Sequence, residues 1–383
     1  MKPKLRFKEF SDEYVLSDLG KYLIQYKKTT NSNNQYPVLT SSRSGIFFQE
    51  DYFNRQVASK DNTGYNIVPR NYFTYRHMSD DTIFSFNINT LCDYGIVSTL
   101  YPVFTTNTEM NSNYLKEYLN NSKRFSEYCL LQKQGGSRTY MYFDKLKKFV
   151  GCFPSIQEQT KVSNFLSLID KKIDLQSKKI EDLKLFKKGL LNVISKEITE
   201  SKTIKEICEY KNGNSYEEYV CDEGKYNLIS LNSVDINGNL KNDMKKIKLS
   251  NPDTLIKNDI VMVLSDVAHG DFLGVSALID EDNKYVLNQR MGLLRIMDNS
   301  IPQFIVEMIN NEQRKFKILG QGSSQLNLSK DDILNQKIKY PCIISQKKYA
   351  TIFNNINTGL KLNKEKLIKL QELKKGLMQN MFV

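Results

Sequence analysis

Residues able to do covalent chemistry are sparse in this sequence. Pro252-Asp253 with Asp282-Asn283-Lys284 fits the loosest nuclease carboxylate–lysine pattern. A pattern that short arises often by chance, and both of its parts lie in turn-like polar stretches. The one Asn-Pro step, Asn251-Pro252-Asp253-Thr254, lacks the Asn-Pro-Pro-aromatic motif of amino-methyltransferases. No Gly-x-x-x-x-Gly-Lys-Ser/Thr loop is present to cradle phosphates, which argues against ATP hydrolysis. Two histidines, His77 and His269, cannot complete a zinc site when Cys92, Cys129, Cys152, Cys208, Cys221 and Cys342 are scattered without a Cys-x-x-Cys pair. The expectation is a chain that is not an enzyme and binds no metal or cofactor of its own.

The bulk numbers fit a reduced, aqueous compartment. A chain of 383 residues, 40% hydrophobic and 26% charged, has length for two domains with cores of their own and needs no disulfide staples. The opening Met1-Lys2-Pro3-Lys4-Leu5-Arg6-Phe7 is basic, but no apolar stretch follows it, and no run reaches the ~18 residues of a membrane span. A cytoplasmic protein is expected, without membrane contact. The net charge of +12 is unevenly spread: +6 over residues 1–154, +2 over 155–200, −2 over 201–340 and +6 over 341–383. A basic total is compatible with a polyanionic partner, but one whole segment is slightly acidic, so charge alone identifies none.

Self-comparison is more informative. Residues 153–194 align without a gap on residues 340–381, 187 positions later, with Pro154/Pro341, Ile156/Ile343, Gln159/Gln346, Leu175/Leu362, Leu183/Leu370 and Lys187-Lys188-Gly189-Leu190 against Lys374-Lys375-Gly376-Leu377 identical. Each copy has a seam spaced four and three apart. The first runs Val162, Leu166, Ile169, Ile173, Gln176, Ile180, Leu183, Lys187, Leu190 and Ile194; the second runs Tyr349, Phe353, Ile356, Leu360, Asn363, Leu367, Leu370, Lys374, Leu377 and Met381. This is the periodicity of a two-helix coiled coil. The polar exceptions fall at the same places, Gln176 with Asn363 and Lys187 with Lys374. A polar seam residue gives up stability and fixes register, so the two copies are expected to pair with each other. A proline opens each helix, where its missing N–H is no loss. Each helix of roughly 40 residues would span about 60 Å.

The repeat extends upstream. Lys133-Gln134-Gly135-Gly136-Ser137-Arg138 lies opposite Gly320-Gln321-Gly322-Ser323-Ser324-Gln325, and Phe143-Asp144-Lys145-Leu146 opposite Lys330-Asp331-Asp332-Ile333. Before these loops, β-branched and aromatic runs predict strands at 36–40, 82–86, 96–104, 227–231, 259–264, 275–278 and 292–296, with short helices at 112–118 and 303–310. The expected class is α+β: two mixed α/β domains separated by an antiparallel two-helix coiled coil, with a pseudo-two-fold internal repeat. The boundaries are 1–153 for the first domain, 154–198 for the first helix, 199–340 for the second domain and 341–383 for the second helix. The short step from Ile194 to the next domain favours antiparallel pairing, which would set the domains at opposite ends of a rod and bring the two chain ends together.

In that order of parts the sequence resembles the specificity (S) subunit of type I restriction-modification enzymes. The matching residues are Pro3-Lys4-Leu5-Arg6-Phe7, both Pro-x-Ile-x-x-Gln helix starts, both Lys-Lys-Gly-Leu helix ends, Tyr226-Asn227-Leu228-Ile229-Ser230-Leu231 and the segment from Gly322 to Ser329. The resemblance covers essentially the whole chain. It implies that each domain is a target-recognition domain reading half of a split, asymmetric site in double-stranded DNA. It also implies that the helix pair sets the spacer and docks two methyltransferase (modification) subunits, with restriction subunits outside them. S-adenosylmethionine, ATP and Mg would then sit on those partners. The first loop departs from the family pattern, because Leu-Asn-Leu-Ser does not follow it.

Arginine suits guanine, asparagine or glutamine suits adenine, and hydroxyls suit phosphate. Candidate DNA contacts are therefore Arg43, Arg70, Tyr72, Tyr75, Arg76, Ser137 and Arg138 in the first domain. In the second they are Asn288, Gln289, Arg290, Ser323, Ser324 and Gln325. Arg138 opposite Gln325 would let the halves read different bases. Helix lysines Lys171, Lys172, Lys178, Lys179, Lys364, Lys366 and Lys369 are read as a solvated face, with a DNA-backbone contact as the secondary role. Two other classes compete: a freestanding site-specific endonuclease, which would cut DNA with Mg²⁺ alone, and a coiled-coil scaffold that binds only protein.

Overall fold

With 22 tyrosines, 20 phenylalanines and no tryptophan, core volume must come from medium-sized aromatic rings. The structure, a computed structural model, describes residues 2–53, 60–133, 138–267, 270–322 and 325–382. It separates into two units, residues 1–177 with 366–383 and residues 178–365.

The first unit runs β1 (Val15–Asp18), β2 (Leu23–Tyr26), β3 (Leu39–Ser42), β4 (Gly45–Phe48), α1 (Gln49–Tyr52), β5 (Asn66–Pro69), β6 (Phe73–Thr74), β7 (Met78–Ser79), β8 (Asn87–Ile88), β9 (Tyr94–Val97), β10 (Val103–Thr106), α2 (Ser112–Asn121), α3 (Lys123–Leu131), β11 (Thr139–Tyr140), α4 (Phe143–Lys147) and β12 (Val150–Phe153), then enters α5 (Ile156–Glu197). Its main sheet has the antiparallel order β2-β10-β6-β8. Phe73 stacks on Phe104 at 4.6 Å across that sheet. Tyr75 lies 4.5 Å from Phe86, and Phe125 of α3 meets Phe86 edge-on at 5.5 Å.

Two strand expectations change here. The 96–104 run is two strands, β9 and β10, parted by a turn in which Tyr101 N–H bonds Ser98 O at 3.0 Å. Residues 82–86 form no strand: Thr82 is left-handed (φ 66°), and Phe84 and Phe86 are both buried. The Asn120 side chain replaces a strand neighbour, accepting from Phe86 N–H and donating to Phe86 O, each at 2.9 Å.

The second unit repeats the plan. After α5 come β13 (Ser201–Thr203), β14 (Cys208–Asn212), β15 (Tyr226–Ile229), β16 (Lys246–Ile247), β17 (Ile260–Val263), β18 (Ser265–Val267), β19 (Ser276–Leu278), β20 (Tyr285–Leu287), β21 (Met291–Ile296), α6 (Pro302–Asn311), α7 (Gln313–Leu319), β22 (Gln325–Asn327), α8 (Lys330–Leu334), β23 (Lys337–Lys339) and α9 (Ile343–Met381). The sheet β14-β21-β17-β19 corresponds to β2-β10-β6-β8 strand for strand, and the pairs β13·β23 and β18·β22 correspond to β1·β12 and β7·β11. What differs is inserted material: the antiparallel pairs β3·β4 and β5·β9 in the first unit, and a β16-β15-β20 sheet in the second.

The shared Pro-x-Ile-x-x-Gln motif is a latch. Each proline lies two residues before the helix begins, ahead of its expected place at the first turn. Its carbonyl accepts from the glutamine side chain, Gln159 Nε2 to Pro154 O at 3.0 Å and Gln346 Nε2 to Pro341 O at 2.9 Å. The same glutamines accept backbone N–H groups at the start of the short helix, from Asn111 at 2.9 Å before α2 and from Ile301 at 3.1 Å before α6. A helix N-terminus has N–H groups without internal partners, and the latch satisfies one while fixing short helix to long. Both glutamines are buried.

Every seam residue of each long helix is buried or half-buried. In the first unit Val162, Leu166 and Ile169 of α5 share a core with Met381 and Phe382 at the end of α9, with Ile173 and Leu377 against it. In the second, Ile194 shares a core with Ala350 and Phe353, Lys187 meets Asn357, and Leu183 lies against Gly359. As α5 numbering rises, α9 numbering falls, so the helices run antiparallel. Ile180 and Ile356 are buried, and Leu360, Leu367 and Leu370 are half-buried. Gln176 is buried, while the Asn363 amide donates to Gly359 O of its own helix at 2.6 Å.

The second shared polar position is an ion lock joining three helices. In the first unit Lys374 Nζ lies 2.7 Å from Asp170 of α5 and 3.5 Å from Glu117 of α2. In the second, Lys187 Nζ lies 2.8 Å from Glu307 of α6 and 2.9 Å from Asn357 of α9, whose amide also donates to Glu307 at 2.7 Å. Burial pulls the Lys374 pKa down, but its hydrogen bond to Asp170 and the charge of Glu117 outweigh that and raise it.

Removing the cation strands a buried carboxylate. Lys187→Met is expected to lower unfolding free energy by about 3 kcal/mol in urea titration, and adding Glu307→Gln should restore most of the loss. A second expectation concerns the chain ends, which adjoin in the first unit, where Leu5 N–H donates to Asn380 O at 2.9 Å. A permutant joined through 383 and 1 and reopened at 198–200 should keep a cooperative unfolding transition; a broad transition would contradict this connectivity.

Candidate nucleic-acid interface

The loop that ends in Arg138 leads into β11, which pairs with β7 in the register Thr139 to Ser79 and Tyr140 to Met78. The corresponding loop of the second unit leads into β22, paired with β18 through Ser265 to Asn327, Asp266 to Leu326 and Val267 to Gln325. The two registers superimpose when the sequences are aligned, so Arg138 faces Asp80 where Gln325 faces Val267. Arg138 Nε donates to Asp80 at 3.0 Å, and its Nη1 approaches the Met78 sulfur at 3.7 Å. The Gln325 amide instead donates to Ser265 Oγ and, at 3.0 Å, to Asn327 Oδ1.

Arg43 joins this place from another direction. It sits in the turn between β3 and β4, where Gly45 has a φ of +130° that a side chain would strain. Its Nη2 lies 2.5 Å from Asp81, which also accepts from Ser79 Oγ at 2.9 Å. Those bonds, the one from Arg43 foremost, hold the Asp81 carboxyl down at about 2. Arg43 and Arg138, nearly a hundred residues apart, are thus gathered by the adjacent Asp80 and Asp81. Sequence reasoning missed both aspartates, whose only signal was their place beside a strand.

An aromatic group flanks the same strand pair. Tyr140 and Tyr142 stack at 5.7 Å with an 11° tilt, and His77 lies 4.9 Å from Tyr142. Burial lowers the His77 pKa, so it is neutral near pH 7. Tyr142 is exposed. The second unit has Leu264, Asn327 and Ser329 at the aligned positions.

Other expected contacts stand elsewhere. Arg70 is tied to the 90–93 turn, by Nε to Asp93 and Nη1 to Thr90 O, both at 2.9 Å. Tyr72 is half-buried and edge-on to Tyr26 at 5.2 Å. Arg76, Gln289 and Arg290 are exposed. Ser137, Ser323 and Ser324 lie outside the described residues, as does His269.

Two candidates are buried. Tyr75 is wholly buried, its hydroxyl donating to Met141 O at 2.8 Å, so it is a core residue that binds β6 to the segment after β11. Asn288 is only 1% exposed and shapes a turn, with its Nδ2 buried and without a hydrogen-bond partner. Its Oδ1 accepts Arg290 N–H at 3.2 Å and its own N–H bonds Ile229 O at 2.9 Å, which presents Gln289 and Arg290 outward. The chain passes so close that a Cβ on Gly213 would sit 2.0 Å from Asn288 O.

The nuclease-like pattern does not converge on a focus. Asp253 pairs with Lys211, Asp282 accepts Lys257 N–H at 2.7 Å, and Lys284 pairs with Glu281 at 2.5 Å. Among the described residues no group of three or more His, Cys, Asp or Glu is placed to hold a metal ion, and no helix is long and apolar enough to cross a membrane. Tyr75→Phe should lower stability by about 1 kcal/mol in thermal or urea unfolding.

Comparison with known proteins bears on this geometry. Residues 196–372 match the family described as type I restriction modification DNA specificity domain. The type I restriction enzyme MjaVIII specificity subunit of Methanocaldococcus jannaschii is 24% identical over 256 residues, which are 59% of this chain and 59% of that protein. The match therefore spans about three-fifths of the curated relative's length. Among solved structures, the S subunit of a type I restriction-modification system from M. genitalium superimposes with a TM-score of 0.63 at 16% identity, over 100% of this chain and 99% of that one. A chain from a structure on complex assembly and conformational transition of the type I R-M system gives 0.55 at 11% identity, over 97% of each. At such identities these likenesses establish a common fold.

Proposed function

We propose that this chain is a specificity subunit of a type I restriction-modification system, the non-catalytic subunit that selects the DNA sequence; the family match over residues 196–372 and the relative from Methanocaldococcus jannaschii support this reading. Each unit carries one target-recognition domain, residues 1–153 and 199–340, and each reads half of a split, asymmetric duplex site. The long helices, 154–198 and 341–383, set the spacer. They also dock two methyltransferase subunits, with restriction subunits beyond, and those partners hold S-adenosylmethionine, ATP and Mg.

The observation that carries this reading is one framework offering two different tips. The sheets, the Gln latches and the Lys locks correspond, while Arg138 with Asp80 stands where the other unit has Gln325 with Val267. A guanidinium donates two hydrogen bonds to guanine O6 and N7, whereas a carboxamide both donates and accepts, as adenine requires. Equal frameworks with unlike tips suit a target whose halves differ. Docking finds support in apolar side chains left exposed on the long helices, Leu175 at 68% and its repeat partner Leu362 at 59%.

Mapping methylated adenines in the host genome tests this directly: a two-part motif with a fixed gap is expected. Arg138→Gln should relax one half only, with about 1–3 kcal/mol of lost discrimination at one base pair. Exchanging residues 201–340 for those of a relative should rewrite the other half alone; a change in both halves would refute independent reading.

A further inference from the structure

Among the described residues, the first unit's reading tip is electrically balanced by its own acids. Arg138 is 52% exposed and its partner Asp80 70%; Arg43 is 60% exposed and Asp81 46%. Exposed arginines near a binding surface would bind any phosphate backbone, and such binding is blind to sequence. Two aspartates beside two arginines cancel that attraction. A phosphate offers charge but must displace a carboxylate and approach its neighbour, while a base edge offers neutral acceptors and carries no such penalty. Asp80 engages the Nε side of the Arg138 guanidinium and the Met78 sulfur lies against Nη1 at 3.7 Å; a thioether is a weak acceptor, so a base edge can displace it and take a forked contact from Nη1 and Nη2.

We propose that Asp80 and Asp81 are specificity-determining positioning residues: they hold Arg138 and Arg43 in fixed directions and repel phosphate, so that these arginines engage base edges only at the correct half-site. This rests on the reading that Arg138 meets DNA. The second unit shows the contrast, since Val267 stands at the position of Asp80 and the neutral Gln325 at that of Arg138. An amide draws no phosphate strongly enough to need a guard.

The test uses the full chain assembled with its modification subunits, carrying Asp80→Asn, Asp81→Asn, Asp80→Glu or Arg138→Gln. Two readouts are taken: the genomic adenine-methylation map, and salt-titrated binding to a mixed-sequence 40-bp duplex lacking the mapped site. Each Asn variant should bind that duplex about fivefold more tightly at low salt, with a slope of log K against log salt steeper by about 0.9 for one added phosphate contact. Each should also relax the half-site that Arg138→Gln relaxes and leave the other half intact, while Asp80→Glu keeps the wild-type map and slope. If Arg138→Gln changes one half but the Asn variants leave map and slope unchanged, the guard is refuted and the reading of Arg138 stands. An unchanged map for Arg138→Gln removes the reading itself, and the guard with it. Failure of the Asn variants to assemble would assign the aspartates to folding and overturn the proposal.

Discussion

A lysine ammonium held between acidic and amide oxygens decides how each globular part is fixed to its long helix. Lys374 and Lys187 each bind three helices at one point. Glu117 and Glu307 are largely out of water, so a lateral slip of one helix turn would leave buried charge without a partner. The Gln159 and Gln346 latches fix the other end of the short helix. Two polar points define an orientation that apolar packing alone leaves adjustable.

This constraint explains why polar residues recur at matched places while the side chains at the strand tips do not. A latch or lock tolerates little change, since losing one member strands another. The tips obey a looser rule. β7·β11 and β18·β22 need only keep their backbone register, and any side chain at the flanking positions leaves that ladder intact. The inserted β3·β4 pair of the first unit, which delivers Arg43, and the β16-β15-β20 sheet of the second are further additions to a common frame.

Much of the frame was legible in the residues. The 187-residue repeat located both long helices, their matched polar positions and their pairing, because helical periodicity over forty residues is a strong signal. Short helices at 112–118 and 303–310 and most second-unit strands were also found. Strand 82–86 was misread because Phe84 and Phe86 suggest alternation, yet a side-chain amide from Asn120 satisfies the backbone there. The tip was half legible. Arg43 and Arg138 stood out as arginines, but nothing local linked them to each other or to Asp80 and Asp81, since that meeting depends on long-range strand pairing. Tyr75 and Asn288 have suitable chemistry for contact, and their burial is set by tertiary packing that no local pattern announces.

The first unit is discontinuous: its core includes Val162 and Leu166 from mid-chain, and Met381 and Phe382 from the very end. During synthesis the earliest residues to emerge must therefore wait for the latest. At a ribosomal pace of about 5–20 residues per second, that delay is on the order of 10–40 s. Throughout it, early α5 has its partners from the preceding residues but lacks Leu377, Met381 and Phe382 of α9, while the intervening residues 178–365 hold all the parts of their own unit. The domain made first is thus finished last, and a nascent chain that stops short of α9's final turns forfeits the older half of the molecule rather than the newer.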